Sequence, residues 1–241
     1  MRPTFPALLV LASLATPAHA EPMVMHYLPQ MPLRSNGVPD VPMAARTTRW
    51  AADAGLTLTW KPVPLKRSLQ ELRTNRTPFC VLGAFDTTER RQFARYSLPI
   101  LQSNQQVFLA ASRVAPALRA LRSAEAAIRD TRFQLLAFDG VAYGETLDRW
   151  IAERAVPPQR ASAASAQLLP MLARGRVDFV ISTAAELTRL RAAGGPDAEQ
   201  VEVVLLPGMP PPPTRHLACS QQVPPEWLTR FDDAVRARPA P

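Results

Sequence analysis

Three short apolar runs alternate with two helical periodicities in the first third of this chain. That order constrains the fold more than any other feature. "MVMHYL" (residues 23–28) is strand-like, and "MAARTTRWAADAGL" (43–56) places Met43, Ala44, Thr47, Trp50, Ala51 and Ala54 at helical spacing before a glycine stop. "LTLTWKPV" (56–63) alternates as a strand does. "LKRSLQELRTNR" (65–76) sets Leu65, Leu69 and Leu72 on one helical face, and "PFCVL" (78–82) is apolar throughout, as a strand covered on both faces must be. Strand–helix–strand–helix–strand of this kind predicts a mostly parallel sheet in an α/β fold.

A second alternation follows. "PILQSNQQVFLAAS" (99–112) is extended, and "PALRALRSAEAAIRD" (116–130) predicts one alanine-rich helix. "RFQLLAF" (132–138) is a strand, "DGVAYG" (139–144) a turn and "ETLDRWIAERA" (145–155) a helix. "SAQLLPMLARG" (165–175) is a helix despite Pro170, "VDFVIS" (177–182) a strand, "AAELTRLRAAG" (184–194) a helix and "VEVVLL" (201–206) a strand. "PGMPPPPTRH" (207–216) suits neither a helix nor a central strand and reads as a stiff polyproline-type connector. "LACS" (217–220) is a late strand and "PPEWLTRFDDAVRA" (224–237) a closing helix with proline near its first turn.

The first twenty residues stand apart. Arg2 precedes an apolar stretch of roughly ten residues, and the segment ends Ala18-His19-Ala20, a small-x-small cleavage site. The stretch is too short to cross a bilayer as a helix. A secretory signal cleaved after Ala20 is expected, hence a periplasmic protein. Basic residues number 28 against 20 acidic, a net charge of +8, and only Lys61 and Lys66 are lysines. The arginines are dispersed and not interleaved with aromatics, which argues against a nucleic-acid groove and for anionic small partners. His26 and His216 are the histidines beyond the signal, no ligand spacing joins them to Cys80 and Cys219, and neither a metal nor a cofactor is expected. Two cysteines in an exported chain admit a disulfide or a pair of buried thiols.

One stretch asks for a chemical explanation: "GAFDTTERRQFARYS" (83–97) leaves a buried strand and at once presents hydroxyls and guanidiniums. On the residues alone it fits an anion-binding corner, or a solvated helix start whose arginines pair with Glu89 or Glu71. Four markers, taken in order, resemble the extracellular solute-binding proteins of ABC importers, in particular the family that binds polar amino acids. They are Thr87-Thr88-Glu89-Arg90 with Tyr96-Ser97-Leu98-Pro99, the glycine turn Gly140 to Gly144, Leu172-Ala173-Arg174-Gly175-Arg176-Val177-Asp178, and the return strand ending at Ser220.

The resemblance implies a two-lobed type II periplasmic-binding-protein fold, each lobe a mostly parallel sheet flanked by helices, with two crossover hinges. Lobe 1 would be residues 22–109 plus 215–238, and lobe 2 residues 110–213. A ligand would sit in the cleft, and the protein would act as a monomer serving an ABC permease or a membrane sensor, with no catalysis. By the family's motif the carboxylate clamp falls on Arg90, not Arg91, with Gly83 giving a close backbone approach and Thr87 a hydroxyl. Gly140, Val141 and Tyr143 would line the cleft from lobe 2, and Tyr27 and Phe85 would flank an apolar part of the ligand or pack in the core. The family's ammonium-pairing aspartate falls on Thr183, so the ammonium half of an amino-acid site is weakened, with Asp139 a possible substitute. The resembled fold makes the strands of Cys80 and Cys219 neighbours and so implies the disulfide. Two other functions fit the same scaffold. One is an enzyme, for which Asp86 and Asp139 are the acids near the cleft turns and no Ser-His-Asp set exists. The other is an adaptor with a vestigial cleft.

Overall fold

Strand β3 (Cys80–Phe85) is buried along its whole length and sits at the middle of the first of two sheets. The computed structural model describes residues 21–162, 168–193 and 196–239. In the first sheet β1 (Met23–Tyr27) lies parallel to β2 (Leu58–Pro62) on one side and to β3 on the other. Strand β11 (Thr214–Ser220) then returns antiparallel to β3 and also pairs with β4 (Ala94–Tyr96) and β5 (Leu101–Gln102). Pro62 sits on edge strand β2, where its missing N–H costs no ladder bond.

Helices cover both faces of this sheet because its residues alternate. Cys80 and Leu82 face α1 (Pro42–Asp53) and α9 (Pro225–Ala237), where Trp50, Trp227 and Phe231 close the core. Trp50 meets Phe231 edge-on and Trp227 stacks on Phe231. Phe79, Val81 and Ala84 face the opposite way, against Leu69 and Leu72 of α2 (Leu65–Thr74). Burying each such leucine is worth about 1.5–3 kcal/mol.

The second sheet runs β10 (Val201–Val204), β6 (Gln106–Ala111), β9 (Phe179–Thr183), β7 (Leu135–Phe138), β8 (Gln159–Ala161). Its strands alternate too. Phe108, Ala137 and Phe179 pack with Ile128, Leu147 and Trp150, while Leu109, Leu136 and Val180 pack with Leu172, Leu187 and Val201. Helices α6 (Glu145–Ala152), α7 (Leu168–Ala173) and α8 (Ala184–Ala192) flank this sheet.

Three expectations need correction. The single helix over 116–130 is two, α4 (Ala115–Arg119) and α5 (Ala124–Arg129), because Ser123 turns extended and its Oγ accepts the Ala126 N–H at 3.1 Å. The extended run 99–112 is two strands in different sheets. The chain changes sheet between Gln102 and Gln106, so residues 106–109 pair within the second sheet. Strands β4 and β8 were not expected from sequence, being three residues each at sheet margins. The start of the helix expected at 165 lies outside the described residues. The two crossovers, 103–105 and 205–213, run side by side: Ser103 N–H donates to Pro213 O at 3.1 Å and Gln105 Nε2 to Pro210 O at 3.0 Å.

Cys80 and Cys219 face each other across β3 and β11 and are disulfide-bonded. The Ser220 N–H to Phe79 O bond at 2.9 Å flanks the pair. The bridge spans 139 positions, and the loop-entropy account gives about 4–5 kcal/mol for so long a loop. Denatured, unreduced protein should therefore show no free thiol. Replacing both cysteines by serine should lower the urea-unfolding free energy by up to that amount, and two titratable thiols per chain would contradict the bridge.

His26 is interior. It stacks on Phe79 at 4.2 Å and its Nδ1 meets Ser68 Oγ at 3.1 Å. Burial lowers its pKa to about 4, against the opposing pull of Glu71. The folded state thus holds His26 neutral where the unfolded chain protonates it. The associated stability is complete above pH 6.5, falls as the pH drops toward 4 and levels off below that. The limit is about 3 kcal/mol at roughly 1.4 kcal/mol per pH unit. The urea midpoint should fall between pH 7 and pH 5, and His26→Gln should flatten that decline; an unchanged slope in the variant would refute the assignment.

Candidate functional site

Inside β3, Gly83 takes a backbone conformation that favours glycine. Its φ is +73°, and a Cβ there would lie 2.6 Å from Met43 Sδ. A register shift in β11 between His216 and Ala218 lies opposite. Past Phe85, Thr87 adopts an extended backbone and caps α3 (Thr88–Arg91), its Oγ1 accepting the Arg90 N–H at 3.3 Å. That cap leaves the threonine O–H free to donate.

The cap separates the two arginines. Arg91 is exposed and makes a two-toothed pair with Asp86, at 2.8 and 2.5 Å. That pair holds its guanidinium above the ordinary arginine range. Glu89 and Glu71, the acids expected for a solvated helix start, pair with Arg73 and Arg67. Arg90 is only 7% exposed, and among the described residues it has no acid partner within salt-bridge distance. One of its terminal nitrogens donates to Phe85 O at 3.2 Å within its own lobe, and the other to Gly140 O at 2.9 Å in the second lobe. Tyr96 Oη donates to the same Phe85 carbonyl at 3.2 Å, and burial pushes its pKa up to about 12.

Gly140 opens the lobe 2 turn with φ at +72°. A methyl placed there would sit 3.6 Å from Lys66 Cα and from Leu69 Cδ1. The turn therefore rests on the start of α2, and the two lobes meet at Arg90. In this geometry the Gly140 carbonyl, a neutral acceptor, occupies one of the two terminal nitrogens of Arg90. A guanidinium grips a carboxylate through two parallel charge-assisted bonds, which are stronger than bonds to a neutral carbonyl.

The other expected residues divide. Val141 packs against the lobe 2 core. Tyr143 is turned into that core, 5% exposed, its hydroxyl accepting the Phe138 N–H at 2.9 Å. Burial raises its pKa to about 12. Tyr27 is interior too and meets Trp60 edge-on at 6.3 Å. Phe85 lies beneath the Arg215 guanidinium at 4.5 Å. Thr183 ends β9 as the cap of α8, its Oγ1 accepting the Glu186 N–H at 3.2 Å. The Asp139 carboxylate has no hydrogen-bonding partner among the described residues. Sequence reasoning missed Arg215 and Asp148. Asp148 accepts the Tyr143 N–H at 2.9 Å, and burial raises its pKa against the pull of Arg90 and Arg160. Neither carried a local signal: Arg215 follows a proline run and Asp148 looks like an ordinary first-turn acid.

The sequence matches no protein-family profile and no curated protein. Among solved structures, the chain resembles an ancestral arginine-binding protein bound to arginine, with TM-score 0.67 and 17% identity over 89% of this chain and 91% of that one. It also resembles the arginine-, lysine-, histidine-binding protein ArtJ of Geobacillus stearothermophilus, with TM-score 0.65 and 15% identity over 90% and 89% of the two chains. A third is an amino acid ABC transporter substrate-binding protein from Streptococcus pneumoniae bound to L-arginine, with TM-score 0.63 and 15% identity over 89% and 87%.

If Arg90 is the ligand clamp, Arg90→Ala should weaken carboxylate binding by about 2–5 kcal/mol, roughly thirtyfold or more. Arg91→Ala should leave it unchanged, since Arg91 points away to Asp86. Titration calorimetry on both variants decides this, and a larger loss at Arg91 would move the clamp. At these identities the likeness establishes the fold: the chain has the two-lobed α/β architecture of the periplasmic binding proteins.

Proposed function

We propose that this chain is a periplasmic solute-binding protein, exported by a signal cleaved after Ala20. It holds a small carboxylate-bearing, amino-acid-like solute in the interlobe cleft as a monomer and presents it to an ABC permease or a membrane sensor. The observation that carries this is Arg90: a buried guanidinium with no acid within salt-bridge distance among the described residues, at the seam of two lobes, already engaging a carbonyl from each. Gly83, Phe85 and Thr87 support it from lobe 1, and Gly140 and Val141 from lobe 2. Tyr143 and Tyr27 act through packing. A buried arginine without a directly paired carboxylate is costly, and an incoming carboxylate would reduce that cost. The resembled structures are binding proteins, which favours binding over turnover.

Thr183 stands where an ammonium partner would be, and its acceptor is engaged by α8. Free α-amino acids should therefore bind less tightly than carboxylates that lack the amine. A thermal-shift panel of matched pairs tests this, with mass spectrometry of native protein to identify any co-purified solute. Tight binding of ordinary L-amino acids would overturn the amine preference. No bound solute and no shift from any carboxylate would instead favour the adaptor, a reading the Arg90 to Gly140 contact also accommodates because it closes the cleft with protein groups alone.

A further inference from the structure

We propose that the cleft takes a ligand with two anionic groups, such as a small dicarboxylate, and that Arg215 holds the second group while Arg90 holds the first. This rests on Arg90 being a carboxylate clamp. Arg215 lies near the start of β11, directly across from Phe85 in the sheet. Its Nη1 donates to Gly83 O at 2.9 Å, and its guanidinium carbon lies 4.5 Å from the Phe85 ring centre. Phe85 thus carries one arginine on its carbonyl and another on its ring, both at the end of β3 that faces the second lobe.

Several half-buried acids among the described residues are matched by an arginine. Asp178 meets Arg113, Glu202 meets Arg119 and Asp130 meets Arg132. Arg154 lacks an acid, but its guanidinium closes the carbonyls of Ile128 and Phe133 inside lobe 2. Arg215 has neither arrangement. Among the described residues no Asp or Glu pairs with it, and burial depresses its pKa with no neighbouring charge acting against that. One carbonyl and one ring satisfy only part of a guanidinium that carries five N–H donors. Met43 sits beside Gly83 in the first turn of α1, and that turn has neither a side-chain cap nor an acid. The first turn of α1 thus lies beside Gly83, whose carbonyl holds Arg215. Two unmatched guanidiniums around one phenylalanine suit a dianion better than a single carboxylate.

The alternative is that Arg215 merely clips β11 to β3. Calorimetry with glutarate and with pentanoate, on wild type, Arg215→Gln and Arg215→Lys, separates the two. Wild type should bind glutarate about ten- to a hundredfold more tightly than pentanoate. Arg215→Gln should bring glutarate down to the level of pentanoate while pentanoate is unaffected, and Arg215→Lys should retain part of the preference. Equal wild-type affinities, or an equal loss of both ligands in Arg215→Gln, would overturn the second subsite and leave the Arg90 clamp standing. Wild type that binds neither would remove the clamp and this inference together. The wild-type comparison needs no variant, so a folding defect in either substitution leaves a decisive measurement.

Discussion

The antiparallel return of β11 onto β3 is the contact on which the rest of the first lobe depends. A parallel β1–β2–β3 sheet ends at an open edge, and an open edge beside a cleft would leave backbone groups unpaired. The chain travels through the whole second lobe before Thr214 to Ser220 close that edge. The pairing also aligns Cys80 with Cys219, brings Arg215 against Gly83 and Phe85, and lets β4 and β5 add beyond it. A disulfide at this place ties the sheet to the segment that arrives last, which is where chain entropy works hardest against closure.

The parts of this architecture legible in sequence are those with a local cause. The helices α1, α2, α6 and α9 and the strands β1, β3, β7 and β9 each advertise themselves by periodicity over enough residues. Ser123 breaking the alanine-rich run is visible only in hindsight: its side chain competes for the backbone, and the surrounding alanines conceal that by their helix propensity. The three-residue strands β4 and β8 have no period to read, because their existence depends on a neighbour already in place. The sheet change between Gln102 and Gln106 lacks a signal as well, since an extended chain can serve either sheet.

The site follows the same division. The resembled family's glycine-to-arginine and arginine-to-serine spacings fall on Arg90 and not Arg91, and in the fold the Thr87 cap sends Arg90 inward and Arg91 out to Asp86. Tyr143 had no such local cue: a tyrosine in a glycine turn can point either way, and its hydroxyl turns inward to accept the Phe138 N–H, five residues back. Arg215 was out of reach, since its importance comes from Phe85, 130 positions earlier in the chain and adjacent only once β11 has paired.

The two crossovers set what motion the cleft has. Proline holds φ near −65°, so residues 210–213 have little torsional freedom, and their carbonyls are tied to Ser103 and Gln105 of the other crossover. Freedom remains in the non-proline residues of the first crossover and around Gly208, whose φ is +78° and whose neighbourhood leaves room for a side chain at ordinary contact. Parting the lobes must also release Arg90 from Gly140 and lift that turn from Lys66. The Arg90 to Gly140 bond is the charged contact that the described residues show on the far side of that hinge. The Gly140 carbonyl is neutral, so an anion that reached the same guanidinium would have the electrostatic advantage.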